Sequence, residues 1–149
     1  MPWLFRTLSE NNPPQLQRLI KFTYLFFVIV SGLGALSFIV GPWVVTLIAG
    51  VEYQRATTII GWLCLGQAFG GMYLMVANYI FYAKRTGALS AVTISTGLLN
   101  IALLVYLIEH MGIVGVAMAF SISMCIRFFA TWWLASRVST VSWRIICKN

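Results

Sequence analysis

From Thr57 to Ala83 the chain reads TTIIGWLCLGQAFGGMYLMVANYIFYA, a run of 27 residues without a charge that stops at Lys84-Arg85. Wound as an α-helix at ~1.5 Å per residue, this run is about 40 Å long, enough to cross a hydrocarbon core of ~30 Å with some tilt. It is read as a membrane helix. Basic residues in short loops stay on the cytoplasmic side, so Lys84 and Arg85 also give its direction, with Thr57 outside and Ala83 inside.

The remaining segments are oriented from this one. Residues 22–50 are uncharged, 88–108 return outward, 113–136 come back, and Glu109-His110-Met111-Gly112 make an external turn. The expected fold is all-α: one membrane domain, residues 1–149, with four spans in an up-down bundle at about 22–49, 57–83, 88–108 and 113–136. A leader (1–21) and a tail (137–149) flank the spans on the cytoplasmic side. Eight of the ten Lys/Arg (Arg6, Arg18, Lys21, Lys84, Arg85, Arg137, Arg144, Lys148) then share one side, Arg55 takes the other, and Arg127 lies within a helix. Both termini are expected in the cytoplasm, and the leader, lacking an early apolar core with a cleavage site, is expected to be retained.

Composition agrees: 60% of residues are hydrophobic and 9% charged, with mean hydropathy +0.89, against roughly 25% charged in a soluble domain. The formal charge of +7 comes from basic residues spread over short loops, without a Lys/Arg run or interleaved aromatics, and reads as a topology signal rather than a nucleic-acid footprint. Cys64, Cys125 and Cys147 form neither a disulfide framework nor a metal-ligand spacing.

Within the first apolar run, Gly41-Pro42 predicts a kink or break, because Pro42 cannot donate the backbone bond its turn expects. Two readings follow: a packing feature whose freed backbone is re-satisfied by neighbours, or a hinge for a moving helix. Pro14 is well placed to open the helix that leads into this run. Gly66 and Gly70 form a GxxxG, and Gly115, Ala119 and Ser123 recur every four residues, so the second and fourth helices are expected to use these faces against partners. Trp43, Tyr53, Trp62, Trp132 and Trp133 fall near span ends, as an interfacial aromatic belt requires.

Enzyme chemistry has almost no material here. One His (His110), three carboxylates (Glu10, Glu52, Glu109) and no Asp leave no catalytic site, no metal site and no acidic exchange residue deep in a span. What lies within the membrane is polar and mostly neutral: Gln67, Asn78, Asn100, the Ser/Thr of the third helix, and Arg127. Arg127 sits about 9 residues, or ~14 Å, from the cytoplasmic end of its helix. A charge at that depth usually faces a cavity or a partner, while snorkelling to the headgroups is the competing reading. Gln67, Asn78 and Asn100 read first as interhelical hydrogen-bond partners and second as ligand contacts.

Four stretches carry a family resemblance: MPWLFRTLSENNPPQLQRLI, GPWVVTLIAGVEYQRATTIIGWLCLGQAFGG, ANYIFYAKRTG and LLNIALLVYLIEHMGIVGVAMAFSIS. Together they resemble the C-terminal part of polysaccharide transporters, the O-antigen and lipid-linked oligosaccharide flippases of the multidrug/oligosaccharidyl-lipid exporter superfamily. The matching positions are Pro42 followed by Gly50, Glu52, Tyr53 and Ala56; Asn78 with Lys84-Arg85; and Asn100, Leu103, Gly112, Gly115 and Ala117. The departure is length, since members carry twelve or fourteen helices in two bundles and four spans match the last four of a twelve-helix member.

The resemblance implies transport of a polyprenyl-diphosphate-linked sugar unit across the inner membrane by alternating access, as a fragment, truncated product or split subunit, with no cofactor. Its implied partners are membrane lipid, the lipid-linked oligosaccharide, and the missing N-terminal helices or other membrane subunits. Arg127, Gln67, Asn78 and Asn100 are the candidate substrate contacts and Pro42 the candidate hinge. Two other readings stand beside it: a non-transport assembly or docking subunit, and a small oligomeric four-helix carrier of polyprenyl-linked monosaccharide.

Overall fold

Across residues 13–50 and 54–138, which a computed structural model describes, the chain forms four helices. They are α1 (Pro13–Ala49), α2 (Gln54–Tyr82), α3 (Thr86–Met111) and α4 (Ile113–Val138). Each contains a stretch long and apolar enough to cross a membrane, at Gln17–Ile48, Thr57–Tyr82, Thr86–Met111 and Ile113–Arg137. Over the described residues the protein is a four-helix, multi-pass membrane bundle. The leader before Pro13, the Glu52-Tyr53 part of the first connection and the tail after Val138 lie outside the described residues, and so does Cys147.

Two expectations about helix ends are corrected. Gly41-Pro42 does not break α1, which runs unbroken for 37 residues and takes Arg18 and Lys21 into the same helix as the span. Pro42 removes one donor, but the helix is supported on both sides: Gly41 packs so closely on Ile60 that a Cβ there would lie 2.8 Å from its Cγ2, and the Thr46 hydroxyl donates to the Pro42 carbonyl at 2.8 Å. The opening proline is Pro13 rather than Pro14.

The second correction concerns the external turn. Glu109, His110 and Met111 belong to the last turn of α3, leaving Gly112 alone between two helices. Gly112 stands at φ 60 and ψ −140, a region L-residues almost never adopt, and its N–H donates to the Ile108 carbonyl at 3.0 Å. Gly115 completes the corner, because a Cβ at that position would collide with the Leu107 carbonyl.

Three register relationships place the helices. Thr23 meets Tyr79, Ser31 meets Met72 and Gly34 meets Ala68, so α1 and α2 are antiparallel. Asn100 meets Ser123 and Thr93 meets Arg127, so α3 and α4 are antiparallel. Gly66 meets Ser121 and Phe69 meets Phe128, which makes α2 and α4 parallel. Two hairpins are thus joined along α2 and α4. A third of the most apolar stretch of each of those helices is buried, against 11% in α1 and 6% in α3.

The small residues of α2 and α4 do pack against neighbouring helices, though not all against the same one. Gly66 abuts Phe120 and Ser121 of α4, and the Ser121 hydroxyl donates to the Trp62 carbonyl across the same contact. Gly115 and Ser123 instead face α3. Where lipid is as apolar as leucine, such close backbone approach supplies the packing and hydrogen bonds that hold helices together.

The buried cluster gathers Phe27, Met72, Val76, Ile80, Leu89, Phe128 and Ala135. Phe27 meets Phe128 edge-on at 5.2 Å, so α1 reaches α4 past α2. Trp132 packs on this cluster with its ring 6.0 Å from Phe128, while Trp62 is half-buried and meets Phe38 of α1 edge-on at 5.4 Å. Trp43 and Trp133 do face outward, 80% and 60% exposed.

Candidate functional site

Arg127 projects from α4 to where α2 and α3 come together. One of its terminal nitrogens donates to the Tyr73 hydroxyl of α2 at 3.1 Å and to the Thr93 hydroxyl of α3 at 3.3 Å. The guanidinium carbon also lies 4.1 Å from the centroid of the Tyr73 ring, a cation–π contact. The same side chain therefore ties its own helix to two others.

These partners are all neutral. The one carboxylate among the described residues, Glu109, is on α3 about 24 Å along the helix from Thr93 at ~1.5 Å per residue. Hydrogen bonds to a charged donor contribute roughly 1.5–3 kcal/mol each, but they do not neutralise it. Arg127 Nε is buried without a hydrogen-bond partner, and one turn on, the Thr131 hydroxyl is buried and equally unpartnered. The arrangement is a half-buried cation with spare donor capacity, chemically suited to an anion with several oxygens.

Above Arg127 on the α3–α4 seam, the Ser123 hydroxyl lies 3.0 Å from Asn100 Oδ1 and 2.8 Å from the Ala119 carbonyl, and donates to one at a time. Asn100 is thus an interhelical partner, as its sequence context suggests. Asn78 is not, and is corrected here: its Nδ2 donates to the Leu74 carbonyl of its own helix at 2.9 Å. Gln67 is exposed and makes no hydrogen bond to another helix among the described residues. It borders a shallow apolar groove of about 440 Å³ between α1 and α2, with Val30, Leu33, Ser37, Leu63 and Ala68.

The four sequence candidates accordingly fall into two pairs. Asn100 and Arg127 share the α3–α4 seam. Gln67 and Asn78 share the outer face of α2, about 120° around that helix from Tyr73 at 3.6 residues per turn. Pro42 is remote from both, near the end of α1 away from Arg18. Tyr73 and Thr131, which the sequence reading did not single out, belong with Arg127. Thr131 carried one usable signal, its i+4 spacing from Arg127, whereas Tyr73 carried none. No group of three His, Cys, Asp or Glu is assembled among the described residues.

Compared with known proteins, the chain matches no family model, no curated protein and no solved structure.

Proposed function

We propose that this chain forms part of a membrane transporter that moves a polyprenyl-diphosphate-linked oligosaccharide across the bacterial inner membrane, with Arg127 contacting the diphosphate. The observation that carries the reading is the Arg127 environment: a cation held among α2, α3 and α4 by neutral hydroxyls and a ring, with one N–H unused and no described carboxylate near it. A structural arginine in a low-dielectric setting is stabilised best by an acidic partner, because an uncompensated buried charge is costly. A site that accepts a transient anion must instead hold its cation by neutral groups, which position it without cancelling its charge. Asn100, on the same seam, is the nearer candidate for a sugar hydroxyl, while Gln67 and Asn78 face elsewhere.

Alternating access requires a second bundle, so the transport path in this reading lies between this bundle and additional membrane helices. Pro42, within a continuous helix, is the proposed point of bending. The test is complementation of surface-polysaccharide assembly by a complete transporter containing this segment, normalised to protein in the membrane. Arg127→Lys should retain part of the activity and Arg127→Gln little; near-normal complementation by Arg127→Gln would remove Arg127 from the site.

One observation favours a second reading. Gln67 and Asn78 leave polar atoms on an outer face that hydrocarbon alone would cover poorly, which suits docking of another membrane helix in an assembly subunit without transport. In that case Gln67→Leu would release a partner subunit on detergent extraction, and Arg127→Gln would not affect polysaccharide assembly.

A further inference from the structure

Five exposed cations end up on one end of the bundle although they come from three separate places in the chain. Arg18 and Lys21 are on the first turns of α1, Lys84 and Arg85 form the α2–α3 connection, and Arg137 is on the last turn of α4. The helix register brings them to one level. Thr23 faces Tyr79 across the antiparallel α1–α2 pair, so five residues outward on each helix, Arg18 stands level with Lys84. The Gly66–Ser121 register of the parallel α2–α4 pair carries Arg137 to the level of Tyr82. No described carboxylate shares this end, because Glu109 lies at the other.

Two local features mark where this collar meets the membrane surface. Arg137 stacks on Trp133, its guanidinium carbon 4.3 Å from the ring centroid, and Trp133 is exposed. An outward Trp with a cation on its face is suited to the headgroup layer, with the ring at the apolar boundary and the charge among phosphates.

Lys84 is the second feature. It adopts φ 54, its N–H donates to the Phe81 carbonyl at 3.0 Å, and Arg85 N–H donates to the Ile80 carbonyl at 3.3 Å. This is the Schellman ending of a helix, whose left-handed position is normally glycine because an L side chain is strained there. A lysine at that position gives up backbone ease and places a further cation at the surface.

We propose that this end is a binding surface for acidic phospholipid headgroups, with Arg18, Lys21, Lys84, Arg85 and Arg137 as a cationic collar. Charge complementarity identifies the occupant: five exposed cations at headgroup level, without described acidic neighbours, meet the mobile anions most abundant at that depth. The surface is distinct from Arg127, which lies about ten residues deeper, or ~15 Å, on α4. It does not depend on the transport reading.

The full chain in phosphatidylcholine vesicles, probed with trace spin-labelled phosphatidylglycerol or phosphatidylcholine, tests the proposal. Phosphatidylglycerol should be retained in the motionally restricted lipid shell about five-fold over phosphatidylcholine, the factor one surface cation contributes. The preference should disappear at 1 M salt, where the screening length is only ~3 Å. Lys84→Gly separates lipid binding from folding: it should raise the thermal unfolding midpoint by relieving the left-handed strain and at the same time lower the phosphatidylglycerol preference. Arg137→Gln should lower the preference without the stabilisation. No preference in the native chain, or a preference unchanged in both variants, would overturn the proposal.

Discussion

The hydroxyls of Tyr73 and Thr93 stand 3.5 Å apart, on two helices that otherwise touch little, and one guanidinium nitrogen of Arg127 reaches both. The arrangement makes the three side chains energetically dependent on one another. Tyr73→Phe keeps the ring under the guanidinium and removes the hydroxyl, so it should cost only one hydrogen bond to a charged donor, roughly 1.5–3 kcal/mol, less if the freed nitrogen turns fully to Thr93. Tyr73→Leu should lose the cation–π contact as well. A double-mutant cycle of Tyr73→Phe with Thr93→Val, read by reversible unfolding in detergent, should be non-additive, and strict additivity would mean that the two hydroxyls do not share the arginine.

Pro42 sits within a continuous helix, so its substitution separates bending from folding. Pro42→Ala should restore the missing backbone donor and leave insertion intact or improved. In a complete transporter it should nevertheless slow transport if α1 bends there. Transport that falls only in proportion to protein level would assign Pro42 to packing.

Two helix glycines predict opposite signs, Gly115 buried against α3 and Gly71 with open space beside it. At Gly115 a methyl group would strike the Leu107 carbonyl, so Gly115→Ala should destabilise the α3–α4 corner by about 1–3 kcal/mol, as overpacking does. At Gly71, within α2, nothing lies within 4 Å of the added Cβ, and Gly71→Ala should stabilise by roughly 0.5–1 kcal/mol through helix propensity. Thermal unfolding of both variants in one detergent checks the pair.

Orientation is predicted from the charge count. With eight Lys/Arg on one side against one on the other, both termini and the Lys84-Arg85 turn should face the cytoplasm. In a Cys-free background, Thr86→Cys should resist a membrane-impermeant thiol reagent in intact cells, and Gln54→Cys should react. The reverse pattern would invert every span.

Much of the fold was legible before any coordinates. Gly112 and Gly115 already stood where a sharp corner between two apolar runs would need them, although Glu109 to Met111 proved to be helix. The uncharged run from Thr57, ending at Lys84-Arg85, placed α2 to within one turn at either end. Arg127 was legible as a site candidate because a lone charge in an apolar run is conspicuous. Its surroundings were not: Tyr73 looked like any aromatic residue of a span, and Asn78 looked as promising as Asn100 until one was found on its own backbone and the other across from Ser123.

The sequence by itself determined that four runs are long and apolar enough to cross a membrane, and which residues within them are polar, because length and hydropathy are local properties that a bilayer enforces residue by residue. Only the tertiary structure decided how each helix is rotated about its axis, and therefore that Arg127 meets Tyr73 and Thr93 while Gln67 faces away. In water the polar and apolar faces of a helix differ and announce that rotation. In hydrocarbon the face turned to lipid is as apolar as the face turned inward, so the azimuth is set by contacts such as Gly66 on Ser121 and Phe27 on Phe128, which exist only once the helices have met.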